Sequence, residues 1–503
     1  MYAIAIALAA VVAAAPPRPN IVFIMSDDHG WQAISAYGSV VNRTPNIDRL
    51  AAEGMRFDRF FVTNALCGPS RAVLLTGRHS HANGFRQNGD RFDGAQDTFP
   101  KRLQAAGYRT EILGKWHLES EPTGFDHYEL LYGQGAYYNP DMNRDGTRVH
   151  HEGYVTDLLT AMAIERIEEL AQREQPFLLM VHHKAPHRNW QPGPAHLEDL
   201  AATVVPEPPT LFDDWSGRSS ASKHQTMTIA KHLSMWYDLK VPPADADATL
   251  EGPDRWAGSD FGRMTPAQRA AWDAAYAPSN AAFRAADPQG DDLVRWKYQR
   301  FAKDYLRCVA SVDDSVGAIL AALDKAGIAE NTLVVYTSDQ GWFLGEHGWY
   351  DKRWMYEESF RTPLLVRWPG VVPAGTTNQA LCQNLDFAPT FLAAAGLAAP
   401  DTMQGASLLP LLRGERPADW RDAIYYRFYE SKGSHTVPRH EGVRTDRYKL
   451  IRFDELGETE LFDLEADPDE MRSLANDPDH AALRAEMESR LEQLRKQYEV
   501  PAE

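Results

Sequence analysis

The chain has 503 residues, 44% of them hydrophobic, with 13 tryptophans and a formal net charge of -18. That length exceeds what one hydrophobic core usually serves, so two domains in close contact are expected, and the apolar share excludes a disordered chain. The acidic balance excludes a general nucleic-acid binder, which needs surplus Lys and Arg, yet permits an anionic substrate wherever local cations outweigh the global field.

Residues 1–15 form an apolar run ending in small residues, with an Ala-x-Ala site near Ala13 to Ala15. The run fits a signal peptide and is too short to span a bilayer, so a secreted or periplasmic protein is expected. No later segment has the unbroken apolar length of a membrane span. The first strand is expected at Asn20 to Met25. Between Leu66 and Arg78, Pro69 suits an early helical position and Gly77 a helical stop, so a helix should begin near Cys67. Further strands are expected at Tyr108–Leu113, Phe177–Val181, Thr332–Thr337 and Leu364–Val366, with helices at Asp157–Glu174 and Tyr298–Ala326. Mostly apolar strands alternating with helices indicate a mainly parallel sheet covered on both faces.

Between Gln191 and Arg295 the periodicity loosens, and residues 191–295 read as an insertion that shapes a substrate cleft or merely packs its aromatics locally. From about Arg421 the texture changes to alternating segments at Ala423–Tyr429, Gly442–Phe453 and Thr459–Leu464, then an amphipathic helix at Ala481–Tyr498. The fold class is therefore α/β: a large catalytic domain over 16–420, then a smaller α+β domain with an antiparallel sheet over 421–503.

In doubly wound sheets ligands bind outside the carboxyl ends of the strands. Four strands here run into polar clusters: Ser26-Asp27-Asp28-His29, Gly114-Lys115-Trp116-His117, His182-His183-Lys184-Ala185-Pro186-His187 and Ser338-Asp339-Gln340-Gly341. A lone Asp-Asp pair usually caps a helix. The second pair, Asp339 and Gln340, favours a shared cation among hard oxygens, of the calcium or magnesium kind. Cys67 taken alone reads as a small buried residue. At a helix start, however, the dipole and free N–H groups favour an anion, and Arg71 lies one turn on along the same face. The chain has three cysteines, too few for a disulfide framework; if Cys67 is consumed chemically, Cys308 and Cys382 are left as a candidate pair.

The segment Cys67-Gly68-Pro69-Ser70-Arg71, followed by Thr76-Gly77, resembles the type I sulfatase signature C-x-P-S-R-x4-T-G. The resemblance extends in order through Asp27-Asp28, Lys115-x-His117, Ala185-Pro186-His187, Asp339-Gln340 and Asp351-Lys352-Arg353, and covers most of the chain. It implies an alkaline-phosphatase-like fold and a sulfuric ester hydrolase. It further implies calcium bound by Asp27, Asp28, Asp339, Gln340 and the modified Cys67, which a maturation enzyme oxidises to formylglycine. One hydroxyl of the hydrated aldehyde, activated by calcium and Arg71, attacks sulfur; the other then loses its proton to His117 and sulfate leaves. Lys115 and Lys352 match the family lysines that hold sulfate oxygens. His187 matches the histidine at the bridging oxygen, with His183 as runner-up; a structural role is expected for one or both of His182 and His183. Many relatives carry Asn at the position of Gln340.

The stretches around His182–Arg188 and Gly345–Tyr356 resemble sulfatases of carbohydrate sulfates, which implies a sulfated polysaccharide or its oligosaccharides as substrate. Arg353 beside Lys352, and His435, Arg439 and His440, are candidates for sugar hydroxyls or a second anionic group; an exposed polar loop is the alternative for the last three. The rival functions are a phosphonate or phosphate ester hydrolase of the same superfamily and a non-catalytic glycan-binding relative.

Overall fold

A computed structural model describes residues 18–245, 247–431 and 433–502; the expected signal peptide at 1–15 lies outside them. Strands β1 (Asn20–Ser26), β2 (Arg109–Lys115), β3 (Phe177–His182) and β4 (Thr332–Ser338) are parallel neighbours in the order β4-β1-β3-β2. They form the middle of a ten-stranded sheet whose outer members include antiparallel pairs, among them Leu364–Arg367 on β4 and the hairpin Asp141–His150. Successive side chains of each strand enter opposite cores. Val22 and Ile24 pack on one face, and Ile21, Phe23 and Met25 on the other. Both faces are dry, which is why these strands read as unbroken apolar runs.

Helix α1 (Cys67–Thr76) is buried along its whole length. Helix α2 (Gly290–Lys325) packs beside Val155–Leu170 and starts eight residues before the expected Tyr298, inside the stretch assigned to the insertion. The insertion is also more regular than its sequence suggests. It contains a 21-residue helix, Pro266–Ala286, opened by a capping box in which Thr265 accepts from Gln268 N. Its aromatics Phe261, Trp272 and Tyr276 are buried core residues, whereas Trp256 is 52% exposed. Packing therefore accounts for most of them.

The expected strand Gly442–Phe453 divides at a turn. The C-terminal domain carries a four-stranded antiparallel sheet of β5 (Ala423–Phe428), β6 (His440–Thr445), β7 (Tyr448–Phe453) and β8 (Glu458–Asp463). One face, with Tyr425, Val443, Leu450 and Leu461, packs on helix α3 (Ala481–Gln497) through Met487, Leu491 and Leu494. The opposite face, with Ile424, Tyr426, Ile451 and Phe462, joins the large core of the main domain. The three cysteines are free; Cys308 and Cys382 lie in cores on opposite faces of the main sheet and do not pair. Among the described residues no helix is long and apolar enough to cross a membrane.

Candidate active site

The carboxyl ends of β1, β2, β3 and β4 converge, because parallel strands in register place their last residues side by side. Gly114 permits the closest approach: its φ is 95°, and a Cβ there would run into the His182 carbonyl oxygen of β3. The chain can therefore turn Lys115 into the space between β1 and β3.

Asp27, Asp28 and Asp339 are buried together, each offering an oxygen within 4.8 Å of the others; Asp27, Cys67 and His187 form a second such group. Cations surround them. Lys115 Nζ donates to Asp27, Lys352 Nζ to both oxygens of Asp28 at 2.6 Å, and Arg71 donates through Nε and Nη2 to Asp339 Oδ2 at 3.1 and 2.9 Å. The remaining fork of Arg71 donates to the Lys115 carbonyl at 2.8 Å, so one guanidinium ties α1 to β4 and β2. Gln340 donates to Asp28, and its Nε2 lies 3.4 Å from Cys67 Sγ.

Burial opposes ionisation of Asp27, but the cations Lys115, Arg71 and Lys352 outweigh it and hold its carboxyl well below the usual range. Asp28 is pushed up to about 7, by burial and by Asp27 and Asp339 against the pull of Lys352. Asp339 is pushed up to about 6 by burial and Asp27. Crowded carboxylates of this kind are relieved by a cation between them. Two buried oxygens, Asp27 Oδ1 and Gln340 Oε1, have no hydrogen-bond partner. The donor set is all hard oxygen and fits a calcium-like ion. Burial and Asp27 raise the Cys67 thiol to about 12.

Of the other expected residues, His187 comes to the centre, its Nε2 3.7 Å from Asp28 Oδ2, and burial keeps it neutral. His117, with φ 57°, stands at the rim; burial and Lys115 hold it well below its ordinary value. Arg353 and His435 meet at Asp351: His435 Nε2 is 3.1 Å from Oδ2 and Arg353 Nε 3.3 Å from Oδ1, with Glu430 Oε2 accepting from Arg353 Nη1 at 3.1 Å. Asp351 and Arg353 flank Lys352 in the chain, and His435 and Glu430 reach them from the C-terminal domain.

Two candidates lie away from the cluster. His183 turns away from the cluster: its Nε2 is 3.2 Å from Ser315 Oγ of α2, and burial lowers it to about 4. The residue following β3 alternates to the opposite face, so the neighbouring His182, not His183, faces Arg71 Nη1, at 3.3 Å. His440 is no loop residue. It opens β6 and is fully buried among Tyr426, Phe428, Phe453 and Trp354, with ring centroids 5.3 to 5.8 Å apart. Arg439 pairs with Glu455 at 2.8 Å on the surface. Gln134, which accepts from Lys115 Nζ, and Glu430, which accepts from Arg353, were not among the motif candidates; Gly133 and Gly135 signal a turn at Gln134 but no chemistry.

A parallel sheet with acids, cations and a helix start at its carboxyl edge defines a hydrolase of the alkaline-phosphatase superfamily. The sulfatase profile matches residues 19–397, and a profile described as N-sulphoglucosamine sulphohydrolase, C-terminal, matches 345–497. The chain belongs to the sulfatase family and is a sulfuric ester hydrolase. An N-acetylglucosamine-6-O-sulfatase of Bacteroides thetaiotaomicron is 48% identical over 487 residues, spanning 96% of this chain and 87% of the relative. A solved structure of a protein in complex with its substrate D-glucosamine-2-N,6-O-disulfate superposes with a TM-score of 0.92 at 48% identity, over 96% of this chain and 98% of that one. A phosphonate monoester hydrolase from Silicibacter pomeroyi shares the fold, with a TM-score of 0.70 at 21% identity over 95% of this chain and 96% of its own.

Proposed function

We propose that the enzyme removes a 6-O-sulfate from a glucosamine unit of a sulfated polysaccharide or its oligosaccharides. The activity and the bound substrate described for relatives at 48% identity support that choice of sugar. In this reading a maturation enzyme converts Cys67 to formylglycine, and calcium sits among Asp27, Asp28, Asp339 and Gln340. The observation that carries it is that Cys67 Sγ lies within 4.8 Å of ligand atoms of Asp27 and His187 while its own thiol is held at about 12. A cysteine so placed has the position of a nucleophile without its chemistry.

When present, calcium supplies charge to the sulfate oxygens, and the hydrated aldehyde supplies one hydroxyl to attack sulfur and a second to expel sulfate. Lys115 and Lys352 hold sulfate oxygens and offset charge growing on the leaving oxygen. Arg71, fixed by Asp339 and the Lys115 carbonyl, faces the nucleophile from its own helix. His187 donates to the bridging oxygen, and His117 accepts the proton of the second hydroxyl. Asp351, Arg353 and His435 receive hydroxyls of the sugar.

The test is peptide mass spectrometry at Cys67 in protein from a host with the maturation system, paired with desulfation of glucosamine 6-O-sulfate. Formylglycine at 67 and an inactive, folded Cys67→Ala variant are expected. An active enzyme with an unmodified thiol, or faster turnover of an aryl phosphonate than of an aryl sulfate, refutes the reading.

A further inference from the structure

The strand His127–Leu131 pairs with β2 so that Leu131 stands opposite Lys115. The chain leaves that strand into a loop in which Gly133 and Gly135 both have positive φ, 55° and 72°. A Cβ on Gly135 would lie 2.8 Å from Leu131 Cδ1, so the tight reversal depends on glycine. The turn presents Gln134 across the mouth of the site. Its Oε1 accepts from Lys115 Nζ at 2.6 Å, and its Nε2 lies 3.2 Å from His117 Nε2. From behind, the Gln134 carbonyl accepts from Lys184 Nζ at 3.1 Å, and Lys184 is buried over the Tyr137 ring at 4.8 Å. The loop is thus held by its backbone while its side chain spans two groups of the site.

The chemistry of the partners fixes the orientation of the amide. An ammonium only donates, so the amide oxygen must face Lys115 and the NH2 must face His117. The NH2 donates, so His117 Nε2 must present a lone pair, and the proton of the neutral ring lies on Nδ1. We propose that Gln134 is a positioning residue that couples Lys115 to His117 and sets the imidazole in its Nδ1–H tautomer, with Nε2 as the accepting atom. This rests on the role of His117 as proton acceptor given above. The Nδ1 that then carries the proton is buried without a partner, and Nε2 can take a proton only after the Gln134 side chain has swung off it while the loop backbone stays held by Lys184. The charged groups around the ring are Lys115, Asp27, Arg71 and Lys352, and none of them reproduces a neutral donor to Nε2.

The experiment compares wild type, Gln134→Ala and Gln134→Glu, and repeats Gln134→Ala in a His117→Ala background. Loss of the amide should lower kcat about tenfold, the worth of about one hydrogen bond in the transition state, with KM within about twofold. In the His117→Ala background the same substitution should have little further effect. Gln134→Glu places a carboxylate against the ring, which should move the acid limb of the kcat/KM profile to higher pH by about one unit. A full, independent penalty in the His117→Ala background, or a raised KM with unchanged kcat, overturns the proposal and makes Gln134 a direct substrate contact. A second readout is independent of turnover: histidine-15N NMR of the holoenzyme should show the Nδ1–H form of His117 in wild type and a mixture in Gln134→Ala. Identical ring signals in both overturn the proposal even if the enzyme hydrolyses some other ester. Absence of any sulfate-ester turnover by wild type would refute the proposed function instead.

Discussion

Replacing His440 by phenylalanine separates a packing role from a substrate role. The imidazole is enclosed by aromatic rings, its Nδ1 donates to the Pro438 carbonyl at 2.8 Å, and Nε2 is buried without a partner. Burial lowers its pKa from 6.5 to about 4. As pH falls through 6.5 the unfolded chain takes up a proton that the native protein refuses until about 4, so this group costs stability across that window. At about 1.4 kcal/mol per pH unit the cost reaches about 3 kcal/mol. His440→Phe has no such proton to take up. It should lose about 1 kcal/mol near neutral pH, from the missing hydrogen bond, and gain about 3 kcal/mol relative to wild type on going to about pH 4. Other buried histidines, such as His29 and His183, contribute equally to both proteins and cancel. Urea unfolding followed by tryptophan fluorescence at both pH values measures the difference. An unchanged acid response, or a raised KM for sulfated glucosamine, would refute the reasoning and return His440 to the substrate.

Calcium chelation should lower the rate by about tenfold or more, with recovery on adding calcium; Asp27→Asn should recover little, and a rate indifferent to chelator removes the metal from the mechanism. Arg353→Ala and His435→Ala should each raise KM for glucosamine 6-O-sulfate by about tenfold, with a smaller effect on an aryl sulfate that lacks the hydroxyls. Equal losses on both substrates would mean that these residues serve the sulfate instead. His183→Gln should keep the rate within about threefold, since the ring touches Ser315 and not the cluster; loss of turnover would restore it to the site.

The centre of the fold was legible because its signals are local. An apolar strand ending in Asp27-Asp28 or Asp339-Gln340 declares both a buried strand and a polar edge, and Cys67 to Gly77 carries its own helix start and stop. The helix Pro266–Ala286 was missed although Thr265-Pro266 and Gln268 spell a capping box, because alanines and arginines mask its apolar stripe. His440 and His183 were misplaced because a histidine beside charged residues looks the same in sequence whether it faces solvent or an aromatic core. Only strand register decides, and register is set by partners far along the chain. Gln134 had no motif at all; its role comes from the pairing of Leu131 with Lys115.

The C-terminal sheet contributes more than a cover. The connection between β5 and β6 carries Glu430 and His435 to Arg353 and Asp351, while both strands are clamped between α3 and the main core. Under the proposed function, the sulfate-handling residues come from the strand ends, from α1 and from Lys352, and part of the sugar wall would come from a connection held at both ends by β5 and β6. On that reading, changes in this connection would alter saccharide preference while leaving the cluster at the strand ends in place.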